Sequence, residues 1–545
     1  MKTIHFSSRS IAFSMLLMTA WMAQADPILT SWFTQNSSVL ARVIQTKTTS
    51  TPTVNTTPVT VWPSTGITNG NSNGLAQTVP VYADIQRIRY TSTNVYINSS
   101  GLASYTMGPF LSSGTGLFGF WPVSQNFTIQ LPLTPPTVIP ATAKTAHTGG
   151  PIGVMVNGVV IYDLGDAFGF VQTASSPAVT GSDSMGQTNS THPWWRDALA
   201  VEAVTFDPGF AHQPGLNGQY HYHAEPKALR YQLRDNMQAT YDSGNHTYSY
   251  TEDVSNLHHS PILGWSFDGF PIYGPYGYSK PLDPGSSVTR MRSGFVLRNG
   301  LNGTTNIATT GRTTLPKWAA IVEGFATLAN YPGSGTVNTS GDYILATASL
   351  YGPATSYASG PTSYAIGRYI GDYDYLGDRG QTQGPTGTFD LDQYNGRTCV
   401  TPEFPGGTYA YFVSIDAKGI PAFPYMLGKQ YYGPKSGAAM NVTVPTNGVT
   451  ELFNSGGLNA KEVMSTPSVN SSTGSVTLTW SSVEGGSYQV EASTNLQTWT
   501  TLSSALPAAT NTVLPAPADV LTATSFIDVG SANSNQKRFY RVKRN

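Results

Sequence analysis

The sequence predicts a mainly β protein, an α+β core with few short helices followed by a C-terminal β-sandwich module. Three observations carry that expectation. First, 55 glycines and 37 prolines are spread through 545 residues, which leaves room only for short elements between turns. Second, apolar residues come in short runs rich in β-branched and aromatic side chains, such as "QTVPVYADIQRIRY" and "IGVMVNGVVIYDLG". Third, stretches with the 3.6-residue helical period are nearly absent.

The elements follow in chain order. The start, "MKTIHFSSRSIAFSMLLMTAWMAQADP", places Lys2 and Arg9 ahead of an apolar run from Ile11 to Met22, then Ala23-Gln24-Ala25. This reads as a secretory leader over 1–25, cut before Asp26. The run is shorter than the roughly 20 residues that a bilayer span needs, and no later segment comes near that length. The mature chain is therefore expected to be soluble, without a transmembrane segment, and secreted. An N-terminal β region is expected over 26–145. Within it Thr46 to Gly74 is rich in Thr, Pro and Asn and reads as a surface excursion or extended linker.

A core domain is expected over 146–455. Asn157-Gly158 inside "VNGV" marks a tight hairpin. One helix is expected from Pro316 to Asn330 with Thr314 as its cap, and a shorter one in "EPKALRYQLRD". A linker over 456–468 leads to the C-terminal module over 469–545. There Val476, Leu478 and Trp480 alternate with polar residues, as do Tyr488, Val490 and Ala492, around Gly485-Gly486. These two runs are expected to pair antiparallel across the glycines.

Charge excludes some classes of partner. Charged residues make up 11% of the chain, against about 25% in ordinary soluble domains. Lysine plus arginine count 29 and aspartate plus glutamate 30, so nothing points to nucleic acid or an anionic membrane. Cys399 is the single cysteine. No disulfide can form within the chain, and a cysteine-rich zinc site is excluded.

The chemistry concentrates in "NGQYHYHAEP", Asn217 to Pro226. On a strand, residues i and i+2 share a face about 6.5 to 7 Å apart. His221 and His223 then face one way, and Tyr220 and Tyr222 the other. Two imidazoles so placed can close on one Zn or Cu ion through bonds of about 2.0 Å. His212 is the first candidate third ligand, since the Pro214–Gly218 turn can fold it back beside the strand. His259, with His258 beside it, is the next. The plainer reading has these rings hydrogen-bonded to backbone carbonyls on a half-buried strand. His147, His192 and His246 read as ordinary surface or loop histidines.

"GQYHYH", then "HSPILGWSFDGFPIYGP", then "LDQYNGRTCVTPEFPGGTYAYF" resembles the YHYH-domain family of exported proteins. The resemblance covers roughly Gly149 to Gly433. It implies a shared site around His221, His223 and Asp268-Gly269, and no named reaction. A weak repeat accompanies it. Gly218 to His223 parallels Gly407 to Phe412, with the tyrosines kept and the histidines replaced by Ala410 and Phe412, and "FPIYGPYG" from Phe270 echoes "FPYMLGKQYYG" from Phe423. On this reading the tyrosine face is architecture and the histidine face distinguishes the first copy. At the C-terminal end, "LTW…GGSYQVEAS…FYRV" resembles fibronectin type III-like modules, which implies a spacer or adhesion role.

Other residues stay secondary. Asp268 reads as a turn residue or as a carboxylate orienting a ligand histidine. Tyr273, Tyr276 and Tyr278 with Trp265 read as core or as a stacking platform for sugar rings. "DYDYLGDRG", Asp372 to Gly380, is oxygen-rich like a calcium loop but lacks the spacing of one. The G-x-S-x-G, P-loop and H-E-x-x-H signatures are absent. Two readings of function stand. One is a secreted protein binding Cu or Zn through a histidine cluster, with Tyr220 or Tyr222 suiting oxidation at copper, activated water suiting zinc, or a closed structural site. The other is a non-enzymatic surface protein that binds polysaccharide or other proteins.

Overall fold

The computed structural model describes residues 26–544 apart from 38, 48–51, 63–76, 78–79, 113–115, 118–119, 142–143, 148, 190, 216, 245, 323–336, 436–438, 456–465, 482–486, 508–522 and 534–536. The leader 1–25, most of the expected linker, Gly485-Gly486 and the second half of the long expected helix lie outside the described residues. The chain is mostly β, in several sheets with a few short helices.

A seven-stranded sheet forms the centre. Its strands are β1 (Pro151–Met155), β2 (Val160–Tyr162), β3 (His221–Tyr222), β4 (Ile262–Ser266), β5 (Pro271–Tyr273), β6 (Gly396–Cys399) and β7 (Thr408–Phe412). The spatial order is β3-β2-β1-β4-β5-β7-β6. β3 runs parallel to β2 and β7 parallel to β5, and the other pairs are antiparallel.

The order conceals a duplication wider than the sequence repeat. β1 and β2 form the expected hairpin, with Gly158 at φ +80°, and β4 and β5 form a second with Gly269 at φ +90°. The two read Gly153…Asn157-Gly158…Ile161-Tyr162 and Gly264…Asp268-Gly269…Ile272-Tyr273 at identical spacing. Val154 pairs with Trp265, Gly153 with Ser266 and Met155 with Gly264, so the registers mirror about a pseudo-two-fold between β1 and β4. Each copy then adds a parallel strand in the same register, Tyr222 beside Ile161 and Tyr411 beside Ile272. The echo between Phe270 and Phe423 has no such counterpart: Pro271–Tyr273 is a strand, whereas 423–427 is turn. The true equivalent of Phe270 is Val159.

The tyrosine face is architecture in both copies. Tyr220, Tyr222, Tyr409 and Tyr411 are buried. Tyr220 donates to Asp207 at 2.6 Å, Tyr409 to Asp392 at 2.9 Å and Tyr411 to Asp268 at 2.7 Å. The Tyr222 hydroxyl lies 2.6 Å from that of Tyr105.

The N-terminal residues join the same core. The sheet Thr450–Asn454, Ile85–Tyr90, Asn94–Ser99, Phe127–Pro132 brings a strand from beyond the central sheet back beside the N-terminal ones. One hydrophobic cluster runs from Ile28, Trp62 and Ile97 into Val154, Tyr222 and Trp265. Pro52–Val59, inside the Thr/Pro-rich stretch, is a strand paired with Val43–Lys47.

Three local expectations change. Thr314 caps no helix: it sits in a short strand paired with 343–344, and its hydroxyl accepts from Arg298. Lys317–Val322 is helical, as is Lys227–Gln232. Ser475–Ser481 and Ser487–Ser493 do not pair with each other. The first pairs with Ser468–Asn470 and Ala523–Asp528, the second with Thr500–Pro507 and Phe539–Arg544. Both alternating patterns are satisfied because Leu478 and Trp480 meet Tyr488 and Val490 in one core between the two sheets. Finally, the acids of "DYDYLGDRG" pair with cations: Asp372 with Arg312, Asp374 with Arg379 and Asp378 with Lys317. Their charge is already answered, which removes the calcium reading.

Candidate metal centre

β3 is an edge strand, and its histidine face looks away from the tyrosine network. Gly218, at φ +61°, donates to Pro214 O at 3.1 Å and closes the turn that brings His212 back. His212 and His221 then exchange backbone hydrogen bonds of 3.2 and 2.8 Å. All three imidazoles are buried, and one ring nitrogen from each lies within 4.8 Å of the others.

Hydrogen bonding fixes which nitrogen is bare. His221 Nδ1 is 2.7 Å from Gln219 O, and His223 Nδ1 is 2.8 Å from Asp163 O. A carbonyl only accepts, so both Nδ1 atoms carry the proton. His212 Nδ1 lies 2.6 Å from the Thr205 hydroxyl, which spends its own proton on Glu202 O at 2.7 Å. That Nδ1 is therefore a donor as well. Each neutral ring is left with a bare lone pair on Nε2. Yet His221 Nε2 and His223 Nε2 are only 2.9 Å apart, and His212 Nε2 has no hydrogen-bond partner. Converging lone pairs repel unless a cation sits between them. A single proton can bridge one such pair; a metal ion can serve all three.

Glu202 adds a fourth electron-pair donor. Its Oε2 lies 3.2 Å from His223 Nε2 and 3.5 Å from His212 Nε2. It ends the helix Ala198–Glu202, capped by Asp197, whose carboxylate accepts from Ala200 N at 3.3 Å. Burial pushes His212 down to about 3 and holds His221 well below its usual value, so both rings are neutral. Burial also opposes charge on His223, but the Glu202 carboxylate outweighs it and raises that ring. Tyr162, on β2, stacks on His221 with centroids 3.7 Å apart, and its hydroxyl donates to Gln219 Oε1 at 2.8 Å. The donor set borders a cavity of about 580 Å³, walled by Phe120, Tyr162, Phe168 and Trp195.

The candidate residues separate clearly. His212, His221 and His223 come together. His259 goes elsewhere: its ring packs on Tyr273 and Tyr278, 5.2 and 4.8 Å between centroids, and its Nδ1 faces Ser260 O. Tyr220 and Tyr222 lie on the opposite face, in the network with Tyr105 and Asp207. Asp268 accepts from Tyr411 and Gly433 N, not from a ligand histidine. Tyr273 donates to Glu403 and packs on Phe412. Trp265, Tyr273 and Tyr276 are buried and form no exposed platform. His147, expected as a surface or loop histidine, lies outside regular structure but is buried, its ring 4.2 Å from that of Tyr431.

The sequence profile of the family described as "YHYH protein" matches residues 128–425, more than half of the chain. The chain belongs to the YHYH family. No curated protein and no solved structure matches it. In this YHYH protein the histidines of the motif are joined by residues that no motif spacing announces: Glu202, Thr205, the Asp163 carbonyl and Tyr162. Glu202 and Thr205 do stand on the same short stretch upstream of His212, which was the one legible cue.

In the second copy the equivalent place is filled. Ala410 and Phe412 replace His221 and His223, and Phe412 lies on Tyr273, the counterpart of Tyr162, at 5.7 Å and 27°. The histidine site exists once because the other half spends that face on packing.

Proposed function

We propose that this YHYH protein is a zinc-dependent enzyme whose ion is held by the Nε2 atoms of His212, His221 and His223, with Glu202 at its open side. The observation that carries the reading is the convergence of three buried imidazoles whose Nδ1 atoms are all committed as donors, so that three Nε2 atoms and the Glu202 carboxylate meet with at most one proton among them. Three histidines plus a carboxylate bordering a cavity match an open site, where the fourth position takes water or substrate. There the ion would lower the pKa of water, and Glu202 would accept its proton. The copper-with-tyrosine alternative loses support, since Tyr220 and Tyr222 are buried on the far face of the strand. Copper bound without them stays within reach of the same donor set. A purely structural ion is disfavoured by the cavity that borders the ligands.

We also propose that the chain is exported, on the leader pattern of residues 1–25, and that the two-sheet unit from Ser468 to Arg544 is a fibronectin type III-like spacer. The polysaccharide reading has lost its stacking platform to the core. Elemental analysis of tag-free protein tests the main reading. One zinc per chain, lost in the His221→Ala/His223→Ala variant, supports it; copper in its place favours the copper alternative at the same donors, and a metal-free chain that takes up no added ion overturns both.

A further inference from the structure

The geometry points to a substrate whose body is a flat, uncharged ring, seated against the aromatic walls with its polar group on the ion; this rests on the metal reading above. The cavity of about 580 Å³ falls in the range of small-molecule sites. The three histidines and Glu202 occupy one end, and the walls beyond them are Phe120, Tyr162, Phe168 and Trp195. Phe168 and Trp195 stand on neighbouring strands, Gly165–Ala174 and Trp195–Asp197, whose register pairs Gly169 with Trp195. Those two walls are thus set by their sheet.

Charge narrows the class. The charged side chains lining the cavity are Asp166 and Glu202, and no lining residue is lysine or arginine. Asp166 is already engaged, accepting from Phe168 N at 2.8 Å and from Arg196 Nε. The Arg196 guanidinium lies 4.1 Å from the Phe168 ring centroid, so its charge is spent on Asp166 and that ring. A phosphate, sulfate or carboxylate remote from the ion would find no cationic side chain here, whereas an apolar ring gains four aromatic neighbours. The rim is open at Gly149, Gly150 and Gly186, where an added Cβ would meet nothing within 4 Å.

Two zinc-binding probes that differ only by a ring test this on the full-length, zinc-loaded chain. Burying a phenyl group should make benzohydroxamate bind at least about tenfold more tightly than acetohydroxamate. Phe120→Ala and Phe168→Ala, at half-buried positions, should each erode that ratio severalfold while zinc stoichiometry and acetohydroxamate affinity hold. Equal affinity for the two probes, or a ratio untouched by both variants, overturns the ring proposal while leaving the metal. If the chain takes up no zinc, the metal reading falls by itself. Benzyl alcohol titrated into chelator-treated protein then judges the cavity alone: binding weakened by Phe168→Ala sustains the ring pocket, and no binding rejects it.

Discussion

Loading the site with zinc should stabilise the protein, and removing two ligands should abolish that gain. The perturbation is His221→Ala/His223→Ala, which deletes the two Nε2 atoms that face each other across 2.9 Å. With free ion at 100 times its dissociation constant, binding stabilises the folded state by about 2.7 kcal/mol. The family-matched unit is roughly 300 residues, for which an unfolding entropy near 2.1 cal/mol/K per residue converts this to a shift of about 4 °C. The assay is thermal unfolding of each protein with chelator and with zinc, and the readout is the zinc-induced shift. The unmetallated cost of the substitutions, which leave Asp163 O without its donor, cancels in that difference. A native chain that unfolds at one temperature under both conditions, or a double variant that keeps the shift, refutes the reasoning.

Other outcomes follow from the same contacts. Glu202→Gln should weaken zinc affinity by roughly 10- to 100-fold without loss of fold, measured by competition with a chromogenic chelator. Metal affinity should fall toward acid with a slope of about one proton instead of three. His212 and His221 are already neutral through burial and need no deprotonation, while His223, raised by Glu202, must lose its proton before it binds; zinc titrations from pH 5 to 8 read the slope. Gly158→Ala should cost about 2 kcal/mol or more in denaturant unfolding, since its Cβ would stand 2.2 Å from Ser99 Oγ at φ +80°. Ala410→His/Phe412→His should bind no second ion, because Phe412 fills a packed position on Tyr273 and His259. It should instead lose about 3 kcal/mol of stability, with elemental analysis still giving one metal per chain.

The parts of the site that were legible in sequence were those encoded by strand alternation. His221 and His223 share a face because β residues two apart do, and the Pro214–Gly218 turn returns His212 because Gly218 can take positive φ. The same logic misread the C-terminal module, where two alternating runs were assigned to each other although they face across a sandwich. Alternation reports which residues point inward but not which strand lies alongside. It also left His259 as a candidate, since nearness in sequence to a motif says nothing of which copy of a duplicated hairpin a residue packs against.

The sequence by itself determined that this chain is β-rich and poor in charge, that it belongs with the YHYH proteins, and that its histidines would share one side of a strand. Those are local properties, set by the period of the backbone and by composition. Only the tertiary structure decided that Glu202 and Thr205 reach the histidines, that Asp163 O orients one of them, that Asp268 serves Tyr411 on the far side of the pseudo-two-fold, and that a cavity opens at the site. The Asp163–His223 and Asp268–Tyr411 contacts join segments far apart along the chain, and Glu202 and Thr205, though near His212 in sequence, reach it only through the fold of the turn between them. They depend on which strands pair and in what register, and a sum of pairing and packing energies over the whole core decides that.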